Sequence, residues 1–243
     1  MRIGIITFHF PENNGAVLQC WALQKYLRKN GHDTEIINYR PFYHTLRYAD
    51  RHDPAVVAAL YYRYRTDVPQ PARLAGSAGK YLSCAFQNLI HRKNALSYDD
   101  FVKKHLTQTR LYRTLEELKE DPPEEDVCIA GSDQIWNPKV LGRDLDRACF
   151  LDFGPDTVRK IAYAAGTGEV PDETERKAII KNCSSLSAIS LREDCEGLTE
   201  YANGKSHVCL DPTLLLPSGN RARLIDLLEK LSFTGRIWKE AFL

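Results

Sequence analysis

The sequence lacks any long apolar run and any excess of charge. No stretch approaches the roughly 18 consecutive apolar residues of a membrane-spanning helix, and residues 1–8 are too short, and lack the cleavage site, for a secretory signal. The 33 basic and 32 acidic residues give a formal charge of +1, which removes the usual attraction to nucleic acid or to an anionic membrane. We therefore expect a cytoplasmic protein with no transmembrane segment and no nucleic-acid partner.

Metal and cofactor motifs are also missing. The seven cysteines are odd in number, irregularly spaced and without a Cys-x-x-Cys pair, which argues against a disulfide framework or zinc ribbon and indicates reduced thiols. The seven histidines show no metal-binding spacing. No Gly-x-Gly-x-x-Gly follows the first apolar run, so no dinucleotide fingerprint is present. We expect neither a metal nor a cofactor.

The remaining pattern is an alternation of short apolar runs and amphipathic segments. It predicts an α/β fold built on a Rossmann-like, doubly wound parallel sheet. The predicted strands lie at residues 2–8, 35–39, 127–130, 149–153, 160–165, 188–191 and 207–210. The predicted helices lie at residues 16–29, 114–119, 173–183, 196–202 and 221–231.

Residues 40–110 interrupt this alternation. Residues 56–64 are rich in aromatic side chains, and residues 81–90 and 97–105 have helical periodicity. Arginines interleaved with tyrosines leave two interpretations open, a phosphate- or sugar-binding face and a solvated helical insertion; these arginines are Arg47, Arg51, Arg63, Arg65 and Arg73. We favour the insertion because no binding motif accompanies them.

The segment at residues 126–138 is the strongest site candidate. An apolar strand ends at Ala130 and is followed at once by polar and aromatic residues, namely Gly131, Ser132, Asp133, Gln134, Trp136 and Asn137. Ligands of open α/β sheets bind beyond the carboxyl ends of the strands, so this chemistry is well placed for binding. The alternative is a helix N-cap formed by Ser132 or Asp133, with Trp136 packed in the core.

Two further loops have the same position relative to a strand. The loop after the first strand contains Asn13, Asn14 and Gly15, where a helix N-terminus can offer N–H groups to an anion. The two asparagines fit equally well as caps. Arg192 follows the strand at 188–191, where it can hold an anion or pair with the adjacent Glu193.

Four segments, in this order, resemble the polysaccharide pyruvyl transferase family. They are residues 3–8 with 13–19 and 22–24, residues 131–137, residues 161–165, and residues 190–193 with 210–216. The resemblance implies half of a two-domain, glycosyltransferase-B-like architecture. It also implies transfer of pyruvyl from phosphoenolpyruvate to a pair of sugar hydroxyls, as a ketal, in cell-surface polysaccharide biosynthesis. The expected partner is a sugar or polysaccharide-precursor acceptor.

The sequence departs from the family pattern in three places. Asn14 stands where the family usually has tyrosine, and Gly166 where it often has serine. The Ser-Phe-His-Gly-like segment of the family's second half, whose histidine is implicated in phosphoenolpyruvate binding and catalysis, is missing. We therefore expect residues 1–216 to be the acceptor-binding N-terminal domain, inactive alone. Residues 217–243 would be a truncated or degenerate tail, and the exposed cleft face would bind a second-domain protein or self-associate.

The resemblance and the loop positions together give one set of cleft residues. We expect the cleft to be lined by Asn13, Asn14, Gly15, Ser132, Asp133, Gln134, Trp136, Asn137 and Arg192. Trp136 would stack on a sugar face, and Asp133 would orient an acceptor hydroxyl or act as the base, with no other catalytic residue assigned. Two alternatives stay open, a non-catalytic glycan- or protein-binding module and a fragment of a nucleotide-sugar glycosyltransferase.

Overall fold

A parallel β-sheet runs through the computed structural model, which describes residues 1–10, 13–47, 53–141, 145–193, 198 and 206–216. The strands of this described part are β1 (Arg2–Ile6), β2 (Asp33–Tyr39), β3 (Gln108–Tyr112), β4 (Val127–Ala130), β5 (Arg159–Ala165), β6 (Ala188–Leu191) and β7 (Ser206–Val208). They lie in the order β3-β2-β1-β4-β5-β6-β7, and every neighbouring pair is parallel. The predicted α/β, Rossmann-like doubly wound sheet is confirmed.

Helices connect the strands. They are α1 (Asn14–Lys29), α2 (Phe42–Arg47), α3 (Pro54–Tyr64), α4 (Gln70–His105), α5 (Leu115–Glu120), α6 (Pro138–Leu141) and α7 (Glu173–Asn182). Short 3₁₀ helices occupy Arg147–Phe150, Cys183–Ser185 and Pro212–Leu215. The predicted helices at residues 196–202 and 221–231, and the predicted tail at 217–243, lie outside the described residues.

Alternating side chains divide the core between the two faces of the sheet. On β1, β2 and β4, Ile6, Ile37 and Cys128 join one buried cluster, while their neighbours along the strand join the other. The first cluster contains Trp136 and Phe150, and the second packs α1 against the sheet. Burial on both faces explains why the central strands are continuous apolar runs.

The strand order reverses between β1 and β4, so the chain winds away from this point in both directions. The segments that follow these two strands pack against opposite faces of the sheet, with Trp136 in the first core cluster and most of α1 in the second. Ligands of doubly wound folds bind at such a switch point. The topology therefore places the loops after β1 and β4, both site candidates from the sequence, side by side.

One predicted strand is wrong, and one observed strand was not predicted. Residues 149–153 are not a strand: Asp146 accepts the Ala148 N–H at 2.9 Å and starts the 3₁₀ helix Arg147–Phe150, and Leu151 then has φ +61°. Their apolar character serves burial against Trp136 instead of strand pairing. The predicted insertion at residues 40–110 does contain α2, α3 and α4, but it ends in β3, an edge strand that sequence analysis missed.

Candidate functional site

The loop after β4 has a backbone that its sequence dictates. Gly131 has φ +118°, and a Cβ atom there would lie 2.2 Å from the carbonyl oxygen of Tyr163 on β5, so only glycine fits. The Gly131–Ser132 peptide bond is cis. Asp133 follows with φ +68°, a left-handed conformation that aspartate adopts more readily than most residues. The chain thus turns sharply at the end of the strand and presents Ser132 and Asp133 at the carboxyl edge.

Ser132 joins the ends of three strands. Its side chain is fully buried, and its Oγ accepts the Asp133 N–H at 2.6 Å and donates to Oδ2 of Asp211, which follows β7, at 3.3 Å. Its carbonyl oxygen accepts the Thr7 hydroxyl, beyond β1, at 3.1 Å. Gln19 of α1 donates to the same Thr7 hydroxyl at 2.9 Å. These bonds fix the loops after β1, β4 and β7 relative to one another.

Arg192 lies among three carboxylates. Its guanidinium is 3.2 Å from Glu193, 3.6 Å from Asp133 and 3.9 Å from Asp211. The four side chains are only partly exposed, between 21% and 37%. We call Asp133, Arg192, Glu193 and Asp211 the acidic cluster, because its carboxylates outnumber its cation.

The Asp133 carboxyl has a raised pKa. Burial is the main cause, and the nearby charge of Asp211 adds to it. The Gln134 N–H, which donates to Asp133 at 2.8 Å, and the Arg192 guanidinium oppose the shift by stabilising the carboxylate. Asp133 is therefore a carboxylate that accepts a proton more readily than a solvated aspartate.

Glu193 also shapes the neighbouring loop after β5. Its Oε1 accepts the Thr167 N–H at 3.0 Å and the Gly168 N–H at 3.1 Å. A Cβ at Gly166 would lie 2.7 Å from the same Oε1. The carboxyl ends of β4, β5, β6 and β7 are thus joined through one set of acidic side chains.

A comparison with family models identifies the chain. The model for polysaccharide pyruvyl transferase matches residues 13–241, which is nearly the whole sequence. The chain belongs to this family. No curated protein and no solved structure matches it.

Several of the residues through which the chain resembles the pyruvyl transferase family meet in the acidic cluster. Asp133 comes from the segment at 131–137, Arg192 and Glu193 from 190–193, and Asp211 from 210–216. Of the predicted site residues, Ser132, Asp133 and Arg192 are brought together. The structure shows one of the two alternatives left open for Arg192, pairing with carboxylates, and anion binding stays a prediction.

The structure corrects the role predicted for Trp136 in this pyruvyl transferase family member. Its side chain is 1% exposed, its ring stacks on Phe150 at 5.2 Å between centroids, and its Nε1–H donates to the Cys149 carbonyl at 3.1 Å. Both faces of the indole are used by the core, so none is available to stack on a sugar. The core position proposed as the alternative is the one observed.

Gln134 and Asn137 serve the loop itself. Asn137 Nδ2 donates to Gln134 Oε1 at 2.9 Å, and Asn137 Oδ1 accepts the Lys139 N–H at 2.9 Å at the start of α6. A Cβ at Gly168 would lie within 2.7 Å of both side chains. Gln134 remains half-buried, whereas Asn137 is 7% exposed and largely covered.

Asn13, Asn14 and Gly15 lie at the start of α1. Asn13 is the N-cap, and its side chain accepts the Ala16 N–H at 3.3 Å. Asn14 is buried, and Gly15 is exposed. The Asp133 charge contributes to the raised pKa of the buried Cys20 thiol, after burial itself, so α1 lies within electrostatic range of the acidic cluster.

His9, in the loop after β1, is a structural residue. It is fully buried, with Nδ1 at 3.0 Å from the Thr7 carbonyl and Nε2 at 3.1 Å from Asn38 Oδ1. Burial, with the Arg40 charge, lowers the pKa of His9 to about 4. With a single N–H, the neutral imidazole donates to one of these two oxygens and contacts the other, and it lies between the loop after β1 and β2.

Sequence analysis did not select Thr7, Gln19, Glu193 or Asp211 as site residues. Three of these residues share a position that could have revealed them: Thr7, Glu193 and Asp211 each come within three residues of the carboxyl end of a strand. Among the described residues no group of three or more His, Cys, Asp or Glu side chains could hold a metal ion. No helix in the described ranges is long and apolar enough to cross a bilayer.

Proposed function

We propose that the acidic cluster binds the acceptor sugar of a pyruvyl transfer reaction. The observation that carries the proposal is the engagement of Arg192 by three carboxylates. A cluster of this composition offers acceptor oxygens to sugar hydroxyl groups, and its excess negative charge disfavours a phosphate. Family membership supports a sugar as the acceptor.

The donor in this proposal is phosphoenolpyruvate. Its methylene carbon gains a proton from a general acid, and the resulting oxocarbenium-like carbon is attacked by one sugar hydroxyl, which loses its proton to a base, so that these two proton transfers balance. The second hydroxyl then displaces the phosphate, which leaves with the second proton, and the product is a pyruvate ketal. Asp133 is our candidate for the base, because its raised pKa improves proton acceptance near neutral pH.

The donor needs groups beyond this cluster. The phosphate and carboxylate of phosphoenolpyruvate are best held by arginine, lysine or helix N-termini, and the Arg192 guanidinium is already paired. We therefore propose that the described domain is the acceptor-binding half and does not turn over phosphoenolpyruvate without further cationic groups. We place the reaction in the cytoplasm, which agrees with the free thiols of the six described cysteines.

Calorimetric titration with galactosyl and mannosyl acceptors tests the acceptor site. We expect saturable binding, and we expect Asp133→Asn to weaken it at least about tenfold, or about 1.4 kcal/mol, because the variant loses the charged acceptor oxygens. Asp156→Asn is the matched control, since Asp156 is exposed and precedes the opposite end of β5. Equal affinity of Asp133→Asn and the unaltered chain would contradict the proposal.

Phosphate release from phosphoenolpyruvate, measured with the same acceptors, tests the division of labour. Release by the chain alone would show that it already contains the donor site. Acceptor binding without release fits the proposal and also fits a second candidate, a non-catalytic glycan-binding module. These two separate when a candidate donor-binding half is added, because only the transferase half then supports release.

A further inference from the structure

Helix α4 uses its small and polar side for packing. Ser77 Oγ donates to the Ala58 carbonyl of α3 at 2.8 Å, and Cys84 is 1% exposed. A Cβ at Gly76 would lie 2.6 Å from the Tyr61 ring, so the two helices approach closely there. This contact covers the side of α4 that contains few large apolar side chains.

Five large apolar side chains between Leu74 and Leu89 of α4 face solvent, whereas Phe101 and Val102 near its end are buried. The exposed fraction is 64% for Leu74, 46% for Tyr81, 68% for Leu82, 64% for Phe86 and 76% for Leu89. At 100° per residue they fall on one face together with Ala78 and Ala85. Single exposed apolar residues are ordinary, but a contiguous stripe along about four turns indicates a surface that is covered in use.

The segment that carries this face is basic in sequence. Residues 68–98 contain Arg73, Lys80, Arg92 and Lys93 and no acidic residue. Residues 40–110 as a whole contain 12 lysines and arginines against five acidic residues, whereas the rest of the chain contains 21 against 27. The near-neutral total therefore conceals a positive insertion on a negative body.

We propose that the apolar face of α4 docks on the anionic surface of a lipid membrane, with the helix lying parallel to that surface. An amphipathic helix with leucine and phenylalanine on one face and lysine and arginine elsewhere binds in this way through apolar burial and attraction to anionic lipids. A second copy of the chain would bring two positive insertions together, which charge complementarity disfavours. This inference does not rest on the proposed enzymatic function.

Vesicle flotation with the full chain tests the proposal. We expect binding to phosphatidylcholine vesicles that contain phosphatidylglycerol, and at least tenfold weaker binding to phosphatidylcholine alone or in about 1 M salt, where screening is strong. The double variant Leu82→Gln/Phe86→Gln should lose at least tenfold of the binding to anionic vesicles. The control Leu111→Gln/Val170→Gln, which removes two exposed apolar side chains elsewhere, should retain it.

Circular dichroism and thermal unfolding of both double variants show whether they are folded, and none of the four positions is buried. Failure of the unaltered chain to bind anionic vesicles would overturn the proposal, as would equal binding by Leu82→Gln/Phe86→Gln. Light scattering without vesicles tests whether a second copy of the chain covers the apolar face of α4. A dimer that this double variant abolishes would show that a second copy covers the face and would also overturn the proposal.

Discussion

Glu125 is a buried carboxyl at the amino-terminal edge of the sheet. It lines a cavity of about 270 Å³ with other acidic side chains, and one of its oxygens has no hydrogen-bond partner among the described residues. A Cβ at Gly4 would lie 2.9 Å from Glu125 Cγ, so a glycine on β1 leaves room for it. Burial, followed by the hydrogen bond and charge of Glu35, raises the pKa of Glu125 to about 8.

The shift of Glu125 predicts a loss of stability as pH rises. The unfolded carboxyl has a pKa of 4.5, so between pH 4.5 and about 8 the folded chain binds more protons than the unfolded chain. The stabilisation is complete below pH 4.5 and is lost as pH rises through about 8. Glu125→Gln should therefore be more stable than the unaltered chain above pH 8, by roughly 2 kcal/mol after allowance for solvent screening in the open cavity.

Urea unfolding at acidic and alkaline pH measures this difference. Glu124→Gln is the control, because the neighbouring Glu124 side chain is 87% exposed and should change little. An unfolding free energy of Glu125→Gln that follows the same pH dependence as the unaltered chain would show that Glu125 is ionised in the folded state.

At the scale of a secondary-structure element, helix α1 depends on its N-terminal cap, Asn13. Asn13 is extended, with φ −120° and ψ +115°, and it satisfies the Ala16 N–H that the first turn leaves unpaired. The other end carries Arg28 and Lys29, which favour the negative end of the helix dipole, and Gly31 with φ +84°. These features made the helix predictable from sequence within two residues at its start.

Asn13→Ala should lower the free energy of unfolding by about 1 kcal/mol, because it removes the cap. Thr114→Ala is the matched control, since the Thr114 hydroxyl caps α5 near the far edge of the sheet by accepting the Glu117 N–H at 3.2 Å. Denaturant unfolding compares the two, and calorimetry measures sugar affinity. We expect little change in affinity for either variant. An affinity loss of about tenfold confined to Asn13→Ala would assign its side chain to the ligand.

The local sequence pattern predicted the central strands and helices, but it failed at the edge strand β3 and at the loop residues 149–153. Strand β4 has the continuous apolar run of a strand covered on both sides, but β3 is a half-covered edge strand with exposed Arg110 and Leu111. Residues 149–153 have an apolar run for a different reason, namely packing against Trp136. Periodicity records burial, and burial is shared by strands, turns and 3₁₀ helices.

The site was predicted where chemistry and position coincide along the chain. Asp133 and Arg192 each follow a strand, and parallel topology brings such positions together. Asp211 escaped because its partner Ser132 is 79 residues away, so only the paired sheet reveals the contact. Trp136 was misassigned because an aromatic residue beside polar groups fits a ligand and a core equally well until its exposure is known.

At the scale of the whole molecule, one sheet separates two core clusters. Trp21 belongs to one cluster and Trp136 to the other, while Trp238 lies outside the described residues. The inner strands of the described sheet either contribute side chains to both clusters or pair with a strand that does. Neither cluster can therefore be exposed to solvent without disrupting the sheet. The whole-chain charge of +1 could not predict that residues 40–110 are positive and the rest of the chain is negative.

The two clusters should therefore unfold together. In Trp136→Phe/Trp238→Phe the remaining indole reports on one face, and in Trp21→Phe/Trp238→Phe on the other. Within each variant, tryptophan fluorescence and far-ultraviolet circular dichroism should give the same urea midpoint, as a two-state transition requires. Midpoints that differ within a variant would show that the faces unfold separately.

The short strand β7, at the edge of the described sheet, controls whether Asp211 joins the acidic cluster. It has three residues, pairs only with β6 among the described strands, and leads to Asp211, whose carboxylate contacts both Ser132 and Arg192. Edge elements of this size open locally at a lower free energy than the core. Detachment of β7 would remove Asp211 from the acidic cluster while Asp133, Arg192 and Glu193 stayed together. In the proposed function, a sugar bound to Asp211 would hold the strand in place. Ligand affinity and the local stability of β7 are thus thermodynamically linked.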